Sequence, residues 1–179
     1  MANCNILFAG FGGQGILFSG KVMAYAGLID HKEVSWMPSY GPEMRGGTAN
    51  CSVCISDEHI GSPLVTAPDV LVAMSGPSFD RFIDTVVPGG KVFVDSSLVD
   101  CTRGRNRGDL TIYGVPAAQL SREEHLDGIA NMILLGKMMA ETRLASFETI
   151  EKAVKKCIPA EKAYLLKENL RAVELGMRQ

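Results

Sequence analysis

The sequence predicts an α/β protein with a largely parallel sheet, helices on both faces and a helical C-terminal region. Three observations predict it. Short apolar runs of strand length alternate with longer helical patterns, the signature of a parallel sheet covered by helices. A glycine cluster, Gly10-Phe11-Gly12-Gly13-Gln14-Gly15, separates the first such run from the first helical one. Beyond Gly128 the chain carries only helical patterns.

The elements follow in order. Asn5-Ile6-Leu7-Phe8-Ala9 reads as the first strand, and a helix is expected from about Ile16 to Leu28. A short second strand, Glu33 to Met37, leads into Pro38-Ser39-Tyr40-Gly41-Pro42-Glu43-Met44-Arg45-Gly46-Gly47. That stretch holds two prolines and three glycines and is expected to be an ordered loop. A third strand is expected from Thr48 to Ser56. Asp69 to Met74 and Lys91 to Asp95 read as fully buried strands. Between them, Pro77 to Val87 reads as a helical crossover stopped by Pro88-Gly89-Gly90. Thr111 to Val115 is a late strand, and helices are expected at Gly128 to Thr142, Ser146 to Lys156 and Ala160 to Gly176. The polar stretch Cys101 to Asp109 shows no pattern. The sum is a Rossmann-like fold, read as a single domain over residues 1–179.

Composition excludes several classes of function. At 179 residues the chain can bury a large share of its surface, and 46% hydrophobic residues leave no case for disorder. A net charge of −2 and a pI near 5.9 supply no basic field, so no nucleic-acid partner is expected. No apolar run nears the ~20 residues that span a bilayer, and the N-terminus lacks a basic segment followed by an apolar one. A cytoplasmic chain without a membrane partner is expected. The five cysteines are scattered and read as free thiols of a reducing compartment. Cys51 and Cys54 have CxxC spacing, but on a strand positions three apart face opposite ways, so no metal site is expected there.

Two loops could carry chemistry. Glycines at 10 to 15 let the backbone turn tightly and let an anion approach the N–H groups at the helix start; the alternative is that they serve only close strand–helix packing. A dinucleotide site also wants an acid ending the second strand. Glu33 begins that strand, and Pro38, Ser39 and Tyr40 follow it, so the ribose-binding part is missing. In the second loop, Tyr40, Glu43 and Arg45 sit among residues that constrain the backbone, and Arg45 could grip a carboxylate or phosphate in two-pronged fashion. A self-contained turn is the bland alternative. Both loops are expected at the carboxyl ends of parallel strands, where open α/β sheets bind ligands. His31, His59 and His125 read as surface residues, Trp36 and the Met132, Met138, Met139 set as core or interface packing, and the Arg103, Arg105, Arg107 group as a solvated turn. No catalytic set is found.

Together the loops resemble a known family. Gly10 to Ile16, the run Ser39-Tyr40-Gly41-Pro42-Glu43-Met44-Arg45-Gly46-Gly47-Thr48-Ala49-Asn50-Cys51, and further matches at Ile60 to Pro63, Asp69 to Met74, Gly89 to Val92 and Asn131 to Gly136 look like the gamma subunit of 2-oxoacid:ferredoxin oxidoreductases. The second loop looks like the 2-oxoglutarate branch. The resemblance implies a complex that decarboxylates a 2-oxoacid, forms an acyl-coenzyme A such as succinyl-CoA and reduces ferredoxin. It implies alpha, beta and ferredoxin-like delta partners that hold thiamine diphosphate, Mg2+ and iron–sulfur clusters, with no cofactor held by this chain alone. A homodimer of the isolated chain is also open. Under this reading Gly12, Gly13, Gln14 and Gly15 offer N–H groups to the diphosphate of coenzyme A, with Tyr40, Glu43 and Arg45 nearby; Arg45 adds charge or fixes the loop against the alpha subunit. A non-catalytic scaffold and an independent NAD-binding protein are the alternatives.

Overall fold

The structure, a computed structural model, describes residues 3–40 and 48–179. Six strands form one sheet: β1 (Asn3–Phe11), β2 (Glu33–Tyr40), β3 (Thr48–Ser56), β4 (Val70–Ala73), β5 (Lys91–Asp95) and β6 (Thr111–Val115), in the order β2-β3-β1-β4-β5-β6. β1, β4, β5 and β6 pair in parallel, whereas β3 runs antiparallel to both β1 and β2. The sheet is therefore mostly parallel, with one reversed strand on its left flank. β4 is buried along its whole length, as its unbroken Val-Leu-Val-Ala run requires.

The helices are α1 (Ile16–Ile29), α2 (Gly76–Phe82), α3 (Ala117–Glu123), α4 (Ala130–Thr142), α5 (Phe147–Cys157) and α6 (Leu165–Met177). Alternation along the strands sorts the core into two. Ile6, Phe8, Val72 and Phe93 face the large core under α1, α4 and α5. Leu7, Ala9, Leu71 and Val92 face a smaller one built around Phe79 of α2. Helices cover both faces, but unevenly. Among the described residues no helix is long and apolar enough to cross a membrane.

Three departures from expectation have local causes. β2 continues through Pro38, Ser39 and Tyr40, which read as loop. Proline is tolerated on edge strands, where one side of the backbone has no ladder to lose, and β2 has only β3 for a neighbour. The patternless stretch holds a 3-10 turn over Cys101–Asn106. In it Arg107 is no solvated arginine: its side chain is 19% exposed. It donates to the carbonyls of Ile83 (2.9 Å) and Val86 (2.8 Å) and to both carboxylate oxygens of Asp109. Helix α3 was not expected. Its second residue, Ala118, donates its N–H (2.9 Å) to the carboxylate of Asp95, which is fully buried at the end of β5. A remote carboxylate thus caps a helix whose own N-cap, Pro116, cannot.

Candidate functional site

β1 delivers the glycine loop to the carboxyl end of the sheet. Ala49 of β3 lies level with Gly10 on one side and with Tyr40 on the other. The start of the second loop and the glycine loop therefore stand at one height, two strand spacings apart. Residues 41–47, including Glu43 and Arg45, lie outside the described residues. Glu33, the one acid near dinucleotide spacing, lies level with Ser56 and Asn3 at the opposite end. Seven strand residues at about 3.3 Å each put it roughly 23 Å from the loop. It cannot hold a ribose there.

The loop is built around Gln14. Its backbone N–H closes the turn onto the Phe11 carbonyl (3.2 Å). Its side-chain Oε1 accepts from the Phe11 N–H (2.6 Å), and its Nε2 donates to the Met74 carbonyl (2.9 Å). Phe11 ends β1 and Met74 follows β4, so the amide sits between the strands where chain order reverses, the crevice in which open α/β sheets seat ligands. Gly10 is explained by the same amide: a Cβ there would lie 2.6 Å from Oε1. Gln14 therefore departs from its expected role, because its N–H is spent on the turn and its side chain faces inward.

Gly13 and Gly15 have left-handed backbones, with φ of 95° and 75°. Gly13 is exposed, and a Cβ on it would meet nothing within 4 Å. Its lack of a side chain serves backbone shape and access rather than packing. Gly15 is different. Asn131 of α4 donates Nδ2 to the Gly15 carbonyl (3.1 Å) and to Ser19 Oγ (3.0 Å), and it would lie 2.6 Å from a Gly15 Cβ. Among the described residues, the N–H groups of Gly12, Gly13 and Gly15 make no hydrogen bond. They stand at the start of α1, where the helix dipole favours an anion.

Three clefts meet at this loop. One of about 260 Å³ is lined by Gly13, by the carboxylates Asp95 and Asp127, and by Arg122 of α3. A second of about 540 Å³ lies beside α2 and carries the carboxylates Asp80 and Asp100. A third of about 450 Å³ opens between Gly15, α4 and the α5–α6 junction. Arg122 had no signal in the sequence, since it lies on the unforeseen helix; Asn131 stood out only within the resemblance over Asn131 to Gly136, because its hydrogen-bond partner lies 116 residues away.

The remaining candidates fall where their chemistry puts them. His31, His59 and His125 are exposed. Met132, Met138 and Met139 are buried, whereas Trp36 is 38% exposed on the edge strand. Cys51 and Cys54 face opposite sides of β3, their thiols donating to the carbonyls of Ile16 (3.7 Å) and Ser62 (3.8 Å). Burial pushes the Cys51 thiol up to about 12 and raises that of Cys54 as well. Such protonated, divergent sulfurs do not fit an iron–sulfur cluster. Among the described residues no group of three or more metal-ligating side chains is gathered either.

Comparison with known proteins supplies the family. The pattern defining the pyruvate ferredoxin/flavodoxin oxidoreductase family matches residues 5–179. The chain is 41% identical over 171 residues to the ketoisovalerate oxidoreductase subunit VorA of Methanothermobacter thermautotrophicus, covering 96% of this chain but only 35% of that one. It is 40% identical over 156 residues to the 2-oxoglutarate synthase subunit KorC of Methanocaldococcus jannaschii, covering 86% of this chain and 83% of the other. In structure it overlays, at a TM-score of 0.87 and 25% identity, on 99% of this chain and 31% of a 2-oxoglutarate:ferredoxin oxidoreductase from Magnetococcus marinus solved with 2-oxoglutarate, coenzyme A and succinyl-CoA bound. The chain thus spans about a third of VorA and of the Magnetococcus chain, and most of KorC. On that match over residues 5–179 and these likenesses, the chain belongs to the pyruvate ferredoxin/flavodoxin oxidoreductase family, and within it to the gamma type.

Proposed function

We propose that this chain is the gamma subunit of a 2-oxoglutarate:ferredoxin oxidoreductase and that its glycine loop holds the diphosphate of coenzyme A. One observation carries the reading. The N–H groups of Gly12, Gly13 and Gly15 are unengaged at a helix start, while Gln14 and Asn131 clamp the loop from below and from the side. Donors held in place before the ligand arrives lose little freedom on binding. Arg122, in the cleft shared with Gly13, adds the positive charge that a diphosphate needs. The reading also assigns Tyr40 and Arg45 of the second loop to this set.

The chain's residues do no bond-breaking. They bind and orient the thiol-bearing co-substrate, and the decarboxylation and electron transfer belong to alpha, beta and delta partners carrying thiamine diphosphate, Mg2+ and iron–sulfur clusters, in the cytoplasm. The match to KorC across most of both chains supports 2-oxoglutarate as the substrate, and so does the bound substrate of the Magnetococcus enzyme. The equal likeness to VorA supports a second reading, a branched-chain 2-oxoacid.

The test is co-purification with the partner chains and turnover with each 2-oxoacid, ferredoxin and coenzyme A. A preference for 2-oxoglutarate is expected; a preference for ketoisovalerate decides for the second reading. Gly13→Val should raise the KM for coenzyme A at least tenfold with little change in kcat, because a β-branched residue cannot hold φ of 95° and would cover the free donors. An unchanged KM with failed assembly would make the loop an interface element.

A further inference from the structure

Asp95 is a fully buried carboxylate at the carboxyl end of β5, a costly group to place there unless its bonds serve a purpose. Both of its oxygens are engaged. Oδ1 accepts from the N–H (3.0 Å) and the hydroxyl (2.7 Å) of Ser97, and Oδ2 accepts from the N–H of Ala118 (2.9 Å). Ser97 Oγ in turn accepts from the next N–H of α3, that of Gln119 (3.3 Å). Two consecutive donors at the start of α3 thus rest on the one turn that follows β5. The helix needs them, because seven residues are far fewer than the ~12–15 that hold a helix alone in water.

What α3 carries is Arg122. It stands four residues beyond Ala118, one turn on along the same face, and both residues line the cleft that Gly13 also lines. Ser121 beside it is buried and fastens the far end of the helix. Its hydroxyl donates to the Leu126 carbonyl, and its own carbonyl accepts from the Leu126 N–H (2.7 Å). Held at both ends, α3 is fixed in rotation. The Arg122 side chain is exposed and, among the described residues, makes no hydrogen bond or ion pair, not even with Asp127 of the same cleft. Its donors are therefore free for a ligand, whereas the nearer acid, Asp95, has turned its oxygens to the protein.

We infer that Asp95 is the positioning residue for Arg122: through α3 it holds the guanidinium at the anion bound by the glycine loop. Asp95 itself touches no ligand. The inference rests on the reading that the loop holds a diphosphate, and it names the residue that sets the charge of that site.

A double-mutant cycle on the KM for coenzyme A, measured in the reconstituted complex, tests it. Arg122→Ala should raise that KM about tenfold, the loss of one charged hydrogen-bonding group, with little change in kcat or in the KM for the 2-oxoacid. Asp95→Asn keeps the volume but sets an amide nitrogen among donors, and should raise the KM for coenzyme A by a similar factor. The paired variant should be no worse than either single one, because Asp95 acts only through Arg122. Factors that multiply, or a fall in kcat, would mean that Asp95→Asn merely loosens the fold, and the inference fails. Should Asp95→Asn not fold, Ser97→Ala takes its place in the cycle. It removes the surface bond to Gln119 and should give a rise of about threefold, again without addition to Arg122→Ala. Asp127→Asn separates an anion site from a cation site: an unchanged or lower KM is expected, and a rise to match Arg122→Ala overturns the proposal. An effect of Arg122→Ala but none of Asp95→Asn ends the role of Asp95 and leaves the coenzyme reading standing. No effect of Arg122→Ala removes both residues from the site, and Gly13→Val alone then judges the loop.

Discussion

Gln14 shows how much one side chain can decide. Its two side-chain bonds tie the ends of β1 and β4 together across the crevice, shape the glycine turn and forbid a side chain at Gly10. Gln14→Leu leaves the Phe11 N–H and the Met74 carbonyl without these partners. At about 0.5–1.5 kcal/mol per bond, a loss of roughly 1–3 kcal/mol in urea denaturation is expected. Gln14→Glu separates bonding from volume. Its ionised carboxylate can still accept from Phe11 but confronts the Met74 carbonyl with a second acceptor. Protonation restores a donor, so its deficit against the unaltered chain should shrink as pH falls through the carboxyl titration. A deficit independent of pH would remove Met74 from the account. The glycines themselves were legible in sequence, because φ above zero demands them at Gly13 and Gly15. The role of Gln14 was not, since its decisive partner lies 60 residues away.

Among the elements, α4 and α6 pack unusually close, and glycine is the reason. A Cβ on Gly136 would stand 2.1 Å from the Val173 carbonyl oxygen, and one on Gly176 would stand 1.8 Å from that of Ile133. Both obstacles are backbone, so neither helix can give way by turning a side chain. In an exposed helix Gly→Ala gains about 1 kcal/mol. Here overpacking works the other way and is worth about 1–3 kcal/mol or more. Gly136→Ala should therefore lower the melting temperature despite its better helix propensity; a rise would mean that the helices separate freely. Periodicity foretold both helices but not their closeness. It missed α3, a seven-residue helix with no cap of its own, because the Asp95 carboxylate that serves it comes from β5. Pro38 was misread for a related reason: whether proline breaks a strand depends on whether the strand has one neighbour or two.

For the molecule as a whole, burial of its thiols sets a pH limit. Cys4 and Cys51 are pushed up to about 12 and Cys157 to about 11, chiefly by burial, against 9.0 for an unperturbed thiol. In the unfolded chain these thiols ionise first, so above pH 9 the unfolded state binds fewer protons and is favoured. Their contribution is complete below pH 9 and is lost as pH rises toward 11–12. Thermal unfolding under reducing conditions should show a clear drop in melting temperature between pH 8 and pH 10.5. A Cys4→Ala, Cys157→Ala double variant should show a shallower drop; an identical slope would assign the effect to other groups.

What the sequence determined by itself is what local chemistry dictates. Strand runs, helix stretches, the glycine turn and the second loop need only near neighbours, and they sufficed for the α/β class and for the family resemblance. Only the tertiary structure decided the rest. It reversed β3 within the sheet, turned Gln14 into the crevice, set Arg122 in the cleft that Gly13 also lines, and held Asn131 against Gly15. Each of these depends on contacts between residues far apart in the chain, and periodicity carries no record of such distances.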